Sequence, residues 1–202
     1  MTGKANNRVG IYAGTFDPVH AGHIALALQA MQAAQLDHVY FLPERRPRAK
    51  QGVEHFGHRV GMLNRALRPY NYFSVLELVD VEFTVNKTLP YLEKTLPGKQ
   101  LVLLFGSDIL ETLPTWPNAA RLLTTTELVI GAREQQELET IQEQINNWAV
   151  KPKNLTLFAS HAPEVSSSKI REGLRTKAVQ PGTLQSVMRY SDQHWLYVAL
   201  NP

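Results

Sequence analysis

Gly10-Ile11-Tyr12-Ala13-Gly14-Thr15-Phe16-Asp17-Pro18-Val19-His20-Ala21-Gly22-His23 joins an apolar run to a helix through a turn that carries two histidines. Val9 to Ala13 reads as a short strand buried on both faces of a parallel sheet. Gly14 lets the chain turn tightly and approach a ligand, Asp17 is expected as the helix N-cap, and Pro18 suits a first helical turn. From Ala21 to Ala34 nearly every residue is a good helix former, and Ile24, Leu26, Leu28, Met31 and Leu36 supply apolar surface. Unpaired N–H groups and the positive end of the helix dipole therefore gather at the turn, which makes an anion site. His20 and His23, three residues apart, can point from the first turn toward one phosphate. Two plainer readings fit a bare His-x-x-His. One is metal ligation, disfavoured by the lack of any Cys or nearby carboxylate pair; the other is ordinary surface histidines.

Two further stretches repeat the pattern. Val165-Ser166-Ser167-Ser168-Lys169-Ile170-Arg171, followed by Glu172 and Leu174, reads as another helix start. Its hydroxyls and free N–H groups suit the outer phosphates of a triphosphate, with Lys169 and Arg171 as countercharge; alternatively the serines only cap the helix. Leu101 to Phe105 is an apolar run followed by Gly106-Ser107-Asp108-Ile109-Leu110 and then Leu113-Pro114-Thr115-Trp116. An Asp at the carboxyl end of a strand can accept from ribose hydroxyls, and Trp offers a face to an aromatic base. Taken alone, Asp108 also reads as an N-cap and Trp116 as core.

Strands are expected near 8–13, 38–42, 73–80, 101–105, 127–131 and 154–159, alternating with helices near 21–35, 56–67, 87–95, 117–123 and 134–148. That alternation specifies an α/β fold, a doubly wound and mainly parallel sheet with helices on both faces, whose ligands sit at the carboxyl ends of the strands. A C-terminal helical segment is expected over about 160–202. It comprises a helix from Ser166 to Leu174, a turn at Pro181-Gly182, a second helix from Leu184 to Tyr190, and packing roles for His194, Trp195 and Tyr197. At 202 residues and 44% hydrophobic content, residues 1–202 are expected to form one domain.

Lys and Arg number 21 against 18 Asp and Glu, a formal charge of +3, which favours anionic ligands without calling for nucleic acid. The densest basic cluster, Arg45, Arg46, Arg48 and Lys50, follows the strand near 38–42 and so lies at the same edge as the first turn. Phosphate contact and a solvated loop are both open for it, but it lacks the aromatic interleaving of a nucleic-acid groove. Absence of Cys excludes disulfides, thiolate nucleophiles and Cys-based metal sites. No signal region or bilayer-length apolar run is present, so a cytoplasmic location without a membrane partner is expected. Homo-oligomerisation is left open.

Gly14 to His23 resembles the signature of the HIGH-motif nucleotidyltransferase superfamily and, in its full form, that of the bacterial nicotinate-nucleotide adenylyltransferases. Residues 165–171 are similar to that superfamily's Ile-Ser-Ser-Thr-x-Ile-Arg element. Gly106, Asp108 and Pro114-Thr115-Trp116 resemble its Gly-x-Asp…Pro-Thr-Trp segment, and Phe56-Gly57-His58-Arg59-Val60-Gly61-Met62-Leu63 its His-Arg-x-x-Met-Leu helix. The resemblance implies a Rossmann-like fold and transfer of the AMP moiety of ATP to nicotinate mononucleotide, giving deamido-NAD and pyrophosphate, with Mg²⁺ as cofactor. It implies catalytic roles for His20, His23 and Arg171, and ATP contacts at Gly14, Thr15, Phe16, Gly106, Asp108, Ser167 and Ser168. It implies acceptor contacts at Lys87, Thr88, Trp116, Arg133 and Arg46.

Such chemistry fits a site with no activated nucleophile, because a phosphate monoester can attack without losing a proton to the protein. Mg²⁺ would bridge phosphate oxygens and keep most of its waters, so no protein cage need be encoded. Three departures bear on the acceptor. Arg45-Arg46-Pro47-Arg48 stands where relatives carry Pro-Pro-His-Lys, Asn86-Lys87-Thr88 where they carry Ser-Tyr-Thr before a helix, and Pro117 follows Trp116 where an aromatic residue can stand. Nicotinamide mononucleotide, phosphopantetheine, and a nucleotide binder that has lost the chemistry are the alternatives.

Overall fold

Alternating side chains along each central strand fill two separate cores, as expected where a sheet is covered on both faces. Leu101, Leu103 and Phe105 face one core, while Val102 and Leu104 face the other. In the computed structural model, which describes residues 7–47, 50–78, 80, 82–160 and 165–198, the strands are β1 (Arg8–Gly14), β2 (His38–Pro43), β3 (Phe73–Val75), β4 (Gln100–Gly106), β5 (Glu127–Ala132) and β6 (Asn154–Ala159). Their order is β3-β2-β1-β4-β5-β6, and every pairing among them is parallel. The winding reverses between β1 and β4, so a crevice opens there at the carboxyl edge.

Helices α3 (Val85–Thr95), α4 (Ala119–Thr125) and α5 (Glu137–Asn146) cover one face. The other is covered by α1 (Ala21–Ala34), α2 (Phe56–Leu67) and α7 (Gln185–Gln193). Helix α6 (Ser167–Thr176) follows β6 and opens onto the crevice. The expected doubly wound fold is what forms.

Several boundaries differ from the expected ones. The strand expected over 73–80 stops at Val75. Beyond it, carbonyls of this edge segment turn to side chains: Tyr91 O–H donates to Glu77 O at 3.2 Å and Arg45 Nε to Leu78 O at 3.1 Å. Residue 79 lies outside the described residues. Helix α3 starts at Val85, earlier than expected, because the Thr88 hydroxyl accepts the Thr84 N–H at 2.9 Å and caps the turn. Helix α4 is displaced to Ala119–Thr125 by Asn118 in the left-handed region, and α5 is shorter at both ends. The C-terminal helices form as expected, with 161–164 and 199–202 outside the described residues.

Candidate active site

Strand β1 delivers the chain to a loop whose anchor is Phe16. Its ring is buried among Tyr12 at 5.4 Å, Phe41 at 5.6 Å and His23 at 5.1 Å between centroids. Phe16 therefore packs as core, and it is not among the residues that line the crevice. Gly14 serves this packing too, since a Cβ there would meet the Phe16 ring at 2.9 Å.

Asp17 does not cap α1. The helix starts at Ala21 with His20 as N-cap, and Pro18 precedes it rather than entering its first turn. Asp17 is instead a buried hub: Tyr197 O–H donates to Oδ1 at 2.6 Å, Glu54 N–H to Oδ2 at 3.3 Å, and the Arg171 guanidinium lies 3.7 Å from Oδ2. Burying a carboxylate demands such partners, which outweighs its value as a surface cap.

Helix α6 reaches the same loop. Arg171 Nη1 donates to Asp17 O at 2.6 Å and Ser167 Oγ to Pro18 O at 3.0 Å, while Arg171 Nη2 donates to Ser168 Oγ at 3.1 Å. From the opposite side Arg59, 1% exposed, donates to Thr15 O at 2.6 Å, Glu44 O at 2.8 Å, Glu54 O at 2.9 Å and Arg45 O at 3.1 Å. One guanidinium thus fixes the histidine loop against the segment that follows β2. Its pKa is lowered by burial, opposed by the charges of Asp17, Glu44 and Glu54.

The two imidazoles stack with centroids 3.7 Å apart and planes inclined by 35°. His23 Nδ1 accepts the His20 N–H at 3.2 Å, so the ring proton of neutral His23 sits on Nε2. His20 Nδ1 is buried and finds no partner among the described residues. Gly22 leaves room for that ring, since a Cβ would meet His20 Nδ1 at 3.0 Å. Burial lowers the His20 pKa to about 4, and burial, then the charges of His20 and Lys50, hold His23 well below the usual range. Both rings are therefore neutral near pH 7, each with one N–H to give.

A crevice of about 890 Å³ opens over these groups. Of the residues singled out in the sequence, Thr15, His20, His23, Gly106, Asp108, Arg133, Ser167, Ser168 and Arg171 line it together. Lys50 joins them, with Nζ donating to Thr15 Oγ1 at 3.0 Å. Asp17 and Lys169 line it as well, whereas the other expected acceptor contacts are not among its lining residues. Arg46 is exposed on the loop after β2, and Arg48 lies outside the described residues. Lys87 is exposed and pairs with Asp80 at 3.3 Å, while Thr88 spends its hydroxyl on the Thr84 cap. Trp116 is half-buried against Phe83 and Phe105, with centroids at 5.8 and 6.2 Å. Since α3 begins at Val85, Lys87 and Thr88 lie inside the helix, and the segment that precedes it is Glu82-Phe83-Thr84.

The sequence drew attention to the helix containing Arg59 but assigned that residue no role. Gly131, at the end of β5, also went unmarked, although it lines the crevice and a Cβ there would meet Phe158 at 3.0 Å and Leu26 at 3.2 Å. Among the described residues no group of three or more His, Cys, Asp or Glu side chains could hold a metal. Their donor chemistry fits a divalent cation carried by a polyphosphate rather than one caged by the protein.

The model of the cytidylyltransferase-like family matches residues 11–173, from β1 into α6. The nicotinate-nucleotide adenylyltransferase of Bacillus subtilis is 31% identical over 198 residues, covering 94% of this chain and 98% of that one. The chain belongs to the nicotinate-nucleotide adenylyltransferase family. A probable member from Bacillus mycoides is 33% identical over 197 residues, with 94% and 98% covered. In fold the chain is similar to Plasmodium falciparum nicotinic acid mononucleotide adenylyltransferase complexed with NaAD, at a TM-score of 0.76 over 94% of this chain and 97% of that one, with 18% identity. No helix among the described residues is long and apolar enough to cross a membrane.

Proposed function

We propose that this protein is a cytoplasmic enzyme that transfers the AMP moiety of ATP to nicotinate mononucleotide, releasing pyrophosphate and deamido-NAD. The observation that carries this reading is the joining of two helix starts into one cleft. Arg171 and Ser167 of α6 bond to the carbonyls of Asp17 and Pro18, just before the paired imidazoles of α1. Membership of the nicotinate-nucleotide adenylyltransferase family supports the choice of acceptor.

In this reading the ATP triphosphate lies between the two helix starts. His20 and His23 donate to α- and β-phosphate oxygens, and the Ser167 main-chain N–H, the Ser168 hydroxyl, Lys169 and Arg171 take the outer phosphates. Gly106 and Asp108, at the end of β4, face the ribose. A phosphate oxygen of the acceptor attacks the α-phosphorus in line; the bond to the bridging oxygen breaks, and pyrophosphate leaves with the electron pair. No protein group needs to remove a proton, because the attacking oxygen is already anionic. Neutral imidazoles suit the task, since they donate to charge as it builds without forming a tight ion pair with the ground state. A divalent cation bound with the nucleotide, Mg²⁺ in this reading, would supply countercharge to the leaving phosphates that Ser168, Lys169 and Arg171 would hold. Arg133 holds the acceptor's phosphate, and Trp116, packed on Phe105 next to Gly106, offers a face to its pyridine ring.

The test is pyrophosphate release from ATP and Mg²⁺ with nicotinate mononucleotide, its amide analogue and phosphopantetheine supplied in parallel. Fastest release with the first is the expected result. Release with none of the three would refute the reading.

A further inference from the structure

Tyr197 lies beyond α7, in a tail that the sequence reading assigned to packing. Its position is nonetheless built. Leu196 N–H donates to Ser191 O at 3.0 Å, and the buried Ser191 hydroxyl donates back to Leu196 O at 3.1 Å. Trp195 and Tyr197 both adopt left-handed backbone angles, with φ 54° and 60°, uncommon for large side chains and kept only where surrounding contacts hold them. The turn so made brings the Tyr197 phenol within 2.6 Å of Asp17 Oδ1. Burial, followed by the bond to Asp17, pushes the Tyr197 pKa upward, so the phenol keeps its proton.

Asp17 is 3% exposed, and its carboxylate charge needs partners. Two neutral donors, Tyr197 O–H and Glu54 N–H, occupy its two oxygens. The Arg171 guanidinium, by contrast, stands 3.7 Å from that carboxylate while bonded to the Asp17 main-chain carbonyl at 2.6 Å. Arg171 is thus held by the backbone without being neutralised by a close ion pair.

Resting on the adenylyl-transfer reading above, we propose that Tyr197 is a positioning residue: its phenol satisfies the Asp17 carboxylate and so leaves the Arg171 guanidinium available to the departing pyrophosphate. Without the hydroxyl, Oδ1 loses its donor, and the Arg171 guanidinium, 3.7 Å from the neighbouring Oδ2, is a strong donor able to turn onto the carboxylate. Closing that 3.7 Å gap would draw the guanidinium toward the carboxylate and away from the phosphates.

Tyr197→Phe in the full chain removes one oxygen and keeps the ring. Forward kcat is expected to fall about tenfold, the loss of roughly one charge-assisted hydrogen bond. In the reverse reaction KM for pyrophosphate should rise by a similar factor, while KM for nicotinate mononucleotide and the thermal midpoint stay near parental values. Tyr197→Phe combined with Asp17→Asn should lose no more activity than Asp17→Asn alone, because both act through one contact. Parental kcat and pyrophosphate KM in Tyr197→Phe would overturn the proposal. So would a variant that fails to fold, or one whose KM values for both substrates and thermal midpoint all deteriorate together, since either marks a merely structural hydroxyl. A parental chain that releases no pyrophosphate would sink the adenylyl-transfer reading instead. Tyr197 is then judged by calorimetric binding of pyrophosphate, where weaker binding by Tyr197→Phe supports the proposal and equal binding overturns it.

Discussion

The Arg171 guanidinium donates to the main-chain carbonyl of Asp17 at 2.6 Å, across 154 positions of sequence. This contact makes one site out of two motifs, because it fixes the start of α6 against the loop that leads into α1. Side-chain pairing with Asp17 stays looser, at 3.7 Å.

His23 is committed through Nδ1 to the His20 N–H, leaving Nε2 as its donor. His23→Ala should therefore remove one phosphate donor and one helix-capping acceptor together. We expect turnover to fall by about two orders of magnitude, roughly 3 kcal/mol of transition-state stabilisation, with a much smaller change in acceptor KM. Steady-state pyrophosphate release measures both. Parental turnover in this variant would remove His23 from the catalytic machinery.

Replacing Arg59 should show that the loop is held from behind. Arg59→Met leaves four carbonyls without their shared donor and is expected to cost roughly 3 kcal/mol or more in urea unfolding, with loss of protection by ATP. Arg59→Lys should not restore it, because a single ammonium cannot match the planar fork that spans these segments. An Arg59→Lys chain as stable as the parent would contradict this account of the loop.

Acidification should destabilise the ligand-free protein before carboxylates matter. His20 titrates near 6.5 when unfolded but only at about 4 when folded, so between these values the unfolded chain binds the extra proton. Stability is thus full above about pH 6.5 and is lost as pH falls toward 4, by about 3 kcal/mol from this group; His23 acts in the same direction. Urea titrations at pH 7.5 and 5 measure the difference, and His20→Gln should reduce it to the part that His23 contributes. Because a polyphosphate favours the charged imidazole, ATP binding near pH 5.5 should also take up protons, detectable by calorimetry in buffers of different ionisation heat.

Trp116 and Lys87 separate two accounts of the acceptor site. Trp116→Leu should raise KM for the mononucleotide about three- to tenfold while leaving KM for ATP nearly unchanged, the range of one aromatic stack. Lys87→Ala should change neither constant beyond about twofold, since its ammonium pairs with Asp80 at the surface. A selective rise in acceptor KM for Lys87→Ala would instead restore that residue to the pocket.

Much of the scaffold was legible because its signals are local. The apolar runs at Val9 to Ala13 and Leu101 to Phe105 read as strands covered on both sides, and the serine cluster before Ile170 reads as a helix start, and both form. Strand β3 was overestimated because hydrophobicity continues past Val75, whereas hydrogen bonding at a sheet edge does not. The role of Asp17 was misread for a related reason: its type suits a helix cap, yet burial made it a hydrogen-bonded hub for Tyr197 and Glu54.

From the sequence alone came the parallel α/β plan, the anion-binding turn with its two imidazoles, the second helix start and the family, all set by short-range pattern and spacing. Only the tertiary structure decided that Arg59, Tyr197 and Arg171 converge on residues 15–17, and that Lys87 and Thr88 turn away from the crevice. Those outcomes depend on which distant carbonyl or carboxylate becomes buried and must find a donor, a requirement that exists only once the chain has closed on itself.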